Sequence, residues 1–216
     1  FDRDLMMQYL RNNIGSPAHS GFIPKGLPGY QPGQGYEYAP ELAKKYLVEA
    51  GYPNAQGIPV IQLNTTSSYV DLCEYIQHAW EALGFKVKVN VNPPSTHRQQ
   101  VSKSQLSIFR GSWIADYADA ENYLALFYTG NHSPNGPNYT HFSNTEFDGL
   151  YEKSMRIPEL SKRIPLYEKM DSIVINQAAI IPLYYDNVLR FSHKSVKGLG
   201  SNTMNLLDLK RVKIIN

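Results

Sequence analysis

Leu5, Met6, Tyr9, Leu10 and Asn13 recur at helical spacing and predict a first helix that stops near Gly15 and Pro17. Regular patterning then lapses as far as Glu37. Pro17, Pro24, Pro28 and Pro32, with Gly21, Gly26, Gly29, Gly33 and Gly35, mark a long ordered loop of a kind that is functional or wraps another element. Leu42, Ala43, Tyr46, Leu47 and Ala50 form the inner stripe of a second helix, closed by Gly51, with Glu41, Lys44, Lys45 and Glu49 outside. Ile58 to Leu63 reads as a strand, followed by a helix with Val70, Cys73, Ile76, Trp80 and Leu83 facing inward. After Gly84, Phe85, Val87, Val89 and Val91 alternate with Lys86, Lys88 and Asn90 as a half-buried strand. Strand, helix, strand implies a parallel pair. A short helix at Pro93 to Val101 and a third strand at Leu106 to Ile114 extend the order, which predicts one α/β domain built on a mixed sheet flanked by helices.

Downstream, Asp119 is placed to cap a helix running to about Phe127, and residues 129 to 144 form a polar loop. Ser143-Asn144-Thr145-Glu146 matches a capping box for a helix whose Phe147, Leu150 and Tyr151 face inward. Pro158 interrupts that helix. Leu160, Ile164, Tyr167, Met170, Ile173, Val174 and Gln177 mark a long helix, followed by a strand at Ile180 to Asn187 and an edge strand at Leu209 to Ile215.

Composition narrows the class. The 216 residues are 42% hydrophobic, enough for a core without staples. Net charge is 21 − 19 = +2 with no long basic run, so neither nucleic acid nor an anionic membrane is favoured and a small-molecule partner is. Sixteen Tyr and two Trp supply rigid amphipathic contact area. One Cys excludes an internal disulfide, and no apolar run approaches membrane-spanning length. The start at Phe1, without a Met, points to a piece of a longer precursor.

Enzyme motifs are absent: no Gly-x-Ser-x-Gly elbow, no phosphate loop, no paired-His helix, and Gly33-Gln34-Gly35 lacks the context of a dinucleotide site. Cys73 falls in an apolar helical stripe and reads as a structural thiol. His19, His78, His97, His132, His141 and His193 are scattered, and only His132 and His141 share a loop, so no metal ligand set is assembled. Asp116, Asp119 and Glu121 are open to an acid-base reading. Asp119 fits a cap better, whereas Asp116 follows Trp113-Ile114-Ala115 at the carboxyl end of a predicted strand, where α/β ligand crevices form. An acid there suits either a cationic ligand group or a protein Lys or Arg.

Arg110-Gly111-Ser112-Trp113-Ile114-Ala115-Asp116-Tyr117 closely resembles the ligand-gripping strand of the family 5 extracellular solute-binding proteins, the oligopeptide and dipeptide receptors of bacterial ABC importers. The resemblance continues, in order, through Phe1-Asp2-Arg3-Asp4, Gly21-Phe22-Ile23-Pro24, Ala39 to Leu47 with Glu49-Ala50-Gly51-Tyr52-Pro53, Leu83 to Val87, Arg163 to Tyr167 and Ile181 to Tyr185. It implies a type II periplasmic binding protein lobe. It also implies that residues 1–216 are the C-terminal lobe of a protein more than twice as long, with 208–216 the strand returning to the N-terminal lobe. In peptide-binding members the acid matching Asp116 holds the peptide ammonium, and the backbone matching Ser112 and Ile114 pairs with the peptide as an added strand. By the same analogy Trp113 lines the crevice, Arg110 meets a short peptide's carboxylate, and Tyr185 is a rim contact. The implied function is non-enzymatic reception of di- or oligopeptides outside the cytoplasmic membrane, without cofactor or metal, with a membrane permease and the N-terminal lobe as partners. Two rivals are a ligand-sensing domain of a transcriptional regulator and a hydrolase using Asp116 or Glu121.

Overall fold

The computed structural model describes residues 1–202 and 206–215. In chain order its elements are α1 (Arg3–Leu10), β1 (Ser16–Pro17), α2 (Pro40–Glu49), β2 (Ile61–Thr65), α3 (Val70–Glu81), β3 (Val87–Val91) and α4 (Pro94–Ser102). They continue as β4 (Ile108–Phe109), α5 (Glu121–Leu124), α6 (Thr145–Met155), α7 (Leu160–Asn176), β5 (Tyr184–Tyr185), β6 (Val196–Lys197) and β7 (Lys213–Ile214).

The three strands expected near 58–63, 85–91 and 106–114 share one sheet in the order β3-β2-β4. Both pairings in it are parallel, with Ile61 opposite Val87 and Leu63 opposite Ile108. Antiparallel pairing is confined to two separate ribbons, β1 with β5 and β6 with β7. The first strand begins at Ile61 rather than Ile58, because Pro59 has no N–H to give and Ile61 N–H is the first to reach across, donating to Lys86 O at 2.8 Å. The third strand keeps only Ile108 and Phe109 of the predicted stretch. Of the predicted strand at Ile180 to Asn187, Tyr184 and Tyr185 pair, opposite Pro17 and Ser16. The terminal strand reduces to Lys213–Ile214 and pairs with β6; Asn216, the last residue of the expected returning strand, lies outside the described residues.

Helix ends follow local chemistry. Asp2 Oδ1 accepts the Leu5 N–H at 3.0 Å to open α1, which stops at Leu10 because Asn12 and Asn13 turn to left-handed φ of 49° and 57°. The cap of α6 is Asn144, one residue after the expected Ser143: its Oδ1 accepts the Phe147 N–H at 2.9 Å, while Ser143 Oγ is taken by the Thr129 hydroxyl. Pro158 lies in the break between α6 and α7, as predicted.

Two apolar clusters form. Met6 and Met7 of α1, Leu63 of β2, Leu72, Cys73 and Ile76 of α3 and Val87 of β3 make the first. Cys73 is buried there, and burial pushes its thiol pKa up, the environment of an inert structural thiol. The second joins Ile23 to Ala120, Leu124, Phe127, Phe147, Tyr167, Met170 and Val174 of the C-terminal half. A fully buried large apolar side chain is worth about 1.5–3 kcal/mol, so these clusters dominate the cohesion. The predicted inner stripe of α2 is poorly covered: Leu42 and Tyr46 are 42% and 53% exposed, and Ala43, Tyr46 and Leu47 line a shallow groove with Leu83 and Phe85. Among the described residues no helix is long and apolar enough to cross a membrane.

The proline- and glycine-rich loop is anchored by Asp171. This residue sits on the inner face of α7 with Tyr167, Met170 and Val174 and is fully buried. Its carboxylate accepts the N–H groups of Phe22 at 2.8 Å and Ile23 at 3.3 Å. A Cβ on Gly21 would lie 1.8 Å from Asp171 Oδ2, so only glycine fits that approach. Burial outweighs the two N–H bonds and raises the Asp171 pKa from 3.8 to about 6. An acid whose folded pKa is raised contributes most below its unfolded pKa, and that contribution is lost as pH rises through the folded one. The stability advantage of wild type over Asp171→Asn should therefore shrink by about 2 kcal/mol between pH 3.8 and 6. Urea unfolding of both forms across that window checks it, and a constant difference would refute it.

Candidate functional site

After Phe109 the chain leaves the sheet. Arg110 N–H still donates to Asn64 O at 2.8 Å, and His97, buried on α4, places Nε2 3.1 Å from Arg110 O. That nitrogen meets an acceptor and so carries the proton. His97 is thus a strand clamp, a role its sequence position gave no sign of. Beyond it, the backbone N–H and C=O groups of Gly111, Ser112, Trp113 and Ile114 make no hydrogen bond with any described residue. Four residues of non-helical chain therefore present free donors and acceptors, with Ser112 exposed and Ile114 72% exposed.

Charge stands at both ends of this segment. Asp116 is exposed, with no cationic side chain in ion-pair range among the described residues. The protein Lys or Arg left open by the sequence as its partner is therefore not there. At the other end, the Arg110 guanidinium lies 3.4 Å over the centroid of the Tyr69 ring, with Nη1 3.4 Å from Ser112 Oγ and Nη2 3.5 Å from the Tyr184 hydroxyl. No carboxylate pairs with it among the described residues, and its Nε is buried without a partner. The two charges are six residues apart, at most roughly 20 Å.

Of the six residues singled out by resemblance, Arg110, Ser112, Trp113, Ile114 and Asp116 lie on this one stretch. Tyr185 does not join them: its hydroxyl donates to Gly21 O at 2.7 Å and its ring packs edge-on against Tyr30. Burial raises its phenol pKa. Its neighbour Tyr184 points the other way, to Arg110 and to Arg11, whose guanidinium carbon is 4.8 Å from the Tyr184 centroid. Period-two alternation along β5 separates the two tyrosines.

Helix α5 lies directly behind the segment. The capping position of α5 is Ala120 rather than the expected Asp119, and no side chain caps the helix; Asp119 Oδ1 instead accepts the Glu121 N–H two residues on at 3.0 Å, and the helical path runs on through a 3-10 turn to Phe127. The other Asp119 oxygen, Oδ2, pairs with Arg163 Nη1 of α7 at 2.9 Å. Glu121 is buried, with one oxygen taken by the Tyr117 hydroxyl and the other by the Tyr151 hydroxyl of α6. Desolvation first, and then the bond to Glu121, raise the pKa of both phenols. A carboxylate held this way is a structural strut, with no oxygen free for acid-base work on a substrate. Asn122, also buried, accepts Trp113 Nε1 at 2.8 Å and Asp116 N–H at 3.1 Å on one oxygen, and its Nδ2 is 3.5 Å from Asp116 Oδ2. No sequence pattern marks Asn122. His132 and His141, the loop pair, stack face to face at 4.7 Å; His132 Nε2 lies 3.0 Å from Phe142 O, and His141 Nε2 reaches Ser133 O at 3.0 Å and, outside the loop, Ser104 Oγ at 2.7 Å.

The profile of bacterial extracellular solute-binding proteins, family 5 Middle, matches residues 1–135. The chain is 27% identical over 219 residues to the dipeptide-binding protein DppE of Bacillus subtilis, a match taking in 97% of this chain and 40% of that protein. It is 30% identical over 155 residues to heme-binding protein A of Haemophilus influenzae, covering 69% of this chain and 28% of that one. Among solved structures, the periplasmic oligopeptide-binding protein OppAIV from Borrelia burgdorferi aligns with a TM-score of 0.81 at 25% identity, over 100% of this chain and 43% of its own. The fold is that of a type II periplasmic binding protein, and the chain spans less than half the length of each of these proteins.

The Glu121 strut yields a measurable expectation. Tyr151→Phe deletes one of two donors from a buried carboxylate and should cost about 2 kcal/mol of unfolding free energy. Denaturant titration reads it, and a cost near zero would show that the phenol does not hold the carboxylate.

Proposed function

This chain belongs to the family 5 bacterial extracellular solute-binding proteins, and on that premise we propose that it is the C-terminal lobe of a longer ABC-importer receptor for di- or oligopeptides. The observation that carries the reading is the backbone of Gly111 to Ile114, which bonds no described residue, bounded by Arg110 and Asp116, neither of which has an ion-pair partner among the described residues. An extended peptide is the complementary shape. Its main chain completes the ladder as an added strand, its ammonium meets Asp116, and the carboxylate of a short one meets Arg110. Main-chain bonds ignore side-chain identity, so affinity comes without a demand for sequence. The names of the dipeptide- and oligopeptide-binding relatives agree with this, and the buried Glu121 argues against the hydrolase alternative.

The receptor works by binding and release rather than turnover. A second lobe closes over the ligand by hinge motion, and the closed form docks on a membrane permease outside the cytoplasmic membrane. Trp113, half-buried beside Asp116, supplies an apolar wall.

Two outcomes test the proposal. A cleft protein divides its contacts between lobes, so residues 1–216 alone should bind peptides weakly; micromolar or tighter binding by calorimetry would contradict that. In the full-length receptor, Asp116→Asn strands the ligand ammonium in a closed cleft and should cost about 3–5 kcal/mol of affinity for free peptides. N-acetylated peptides, lacking the ammonium, should bind wild type poorly and respond little to the substitution. Unchanged free-peptide affinity in Asp116→Asn would remove the ammonium anchor and leave a non-peptide solute, such as haem, as the reading to pursue.

A further inference from the structure

The side chain of Asn122 spends every polar atom on the ligand-facing segment. Trp113 Nε1 and Asp116 N–H can only donate, so the oxygen they share at 2.8 and 3.1 Å must be the amide carbonyl. That fixes the amide orientation and turns Nδ2 toward the Asp116 carboxylate, 3.5 Å from Oδ2. Asn122 itself does not move freely. It is 6% exposed on α5, its N–H donates to Asp119 O at 3.2 Å, and its neighbours Ala120 and Leu124 are fully buried in the C-terminal cluster. Glu121 ties the same turn to α6 through Tyr151. Segment 113–116 has no sheet partner among the described residues; the Tyr123 phenol also reaches the Ala115 backbone, but the Asn122 amide is the group that touches both the indole and the carboxylate and so sets them relative to each other.

We infer that Asn122 is the positioning residue of the binding site, holding the Trp113 wall and the Asp116 carboxylate at fixed separation so that an ammonium is met by a pre-aimed acid. The inference rests on the peptide reading above. Asn122 contacts no ligand; it acts by keeping Asp116 from sampling the many rotamers open to an exposed, unpaired carboxylate, a freedom that would otherwise be lost on binding.

A double-mutant cycle in the full-length receptor tests it, with a free dipeptide and its N-acetylated form as probes. Asn122→Leu, similar in size but without hydrogen bonds, should weaken free-dipeptide binding about tenfold, with a smaller effect on the acetylated form. In that background Asp116→Asn should cost several-fold less than it does in wild type, because the acid is no longer aimed. Asn122→Ser, whose short hydroxyl reaches at most one of the three partners, provides the same cycle if the leucine variant does not fold. A second readout needs no ligand. In 15N–1H spectra of the full-length receptor, Asp116→Asn should shift the Trp113 indole resonance when Asn122 is present and leave it unmoved when Asn122 is replaced. Equal Asp116→Asn losses in both backgrounds, or an indole shift that persists without Asn122, overturn the inference while leaving the peptide reading intact. No Asp116→Asn loss in either background overturns both.

Discussion

A buried carboxylate with only backbone for company organises this molecule. Asp171 has no cation within ion-pair distance among the described residues and no solvent, only the N–H groups of Phe22 and Ile23. The cost of that burial is visible in its raised pKa. In return, a loop rich in proline and glycine, with almost no ladder of its own, acquires one fixed path over α7. Other contacts depend on that path. The Tyr185 hydroxyl reaches Gly21 O, Ser20 Oγ accepts Gly33 N–H, and Arg3 binds the carbonyls of Tyr36 and Pro182, which joins the loop to the N-terminal helix and the last strands. The two apolar clusters are held together across this polar seam.

The proposed binding segment relies on the opposite device. Free strand edges invite unwanted pairing, and proteins keep such edges short and charged. Here the free backbone is four residues long and carries Arg110 and Asp116 at its ends, which limits promiscuous pairing and at the same time suits an extended, zwitterionic partner. The surrounding support is rigid where it matters. His97 clamps the start of the segment at the Arg110 carbonyl, and α5 holds its end, with Asp119 bound to Arg163 and Glu121 to two phenols. A segment held at both ends with its backbone open between them suits a ligand that must supply the missing strand.

Much of the architecture was legible in the residues alone. Periodicity located α1, α2, α3, α6 and α7 and the parallel β2–β3 pair, since amphipathic spacing and caps are local properties of consecutive residues. The resemblance, carried by one contiguous stretch, proposes Arg110, Ser112, Trp113, Ile114 and Asp116, which the fold keeps on one segment. Tertiary structure decided the rest. The apolar pattern from Leu106 to Ile114 cannot say whether a strand will find a neighbour, and the predicted pairing beyond Arg110 is missing among the described residues; whether a backbone is paired depends on a chain distant in sequence. Asn144 rather than Ser143 caps α6 because Thr129, at the far end of the intervening loop, claims the Ser143 hydroxyl. Tyr184 rather than its neighbour faces Arg110 because β5 takes its register from β1. Asn122, His97 and Asp171 were silent in the sequence for the same reason. A buried polar residue declares its role only through its partners, and those partners are brought to it by the fold.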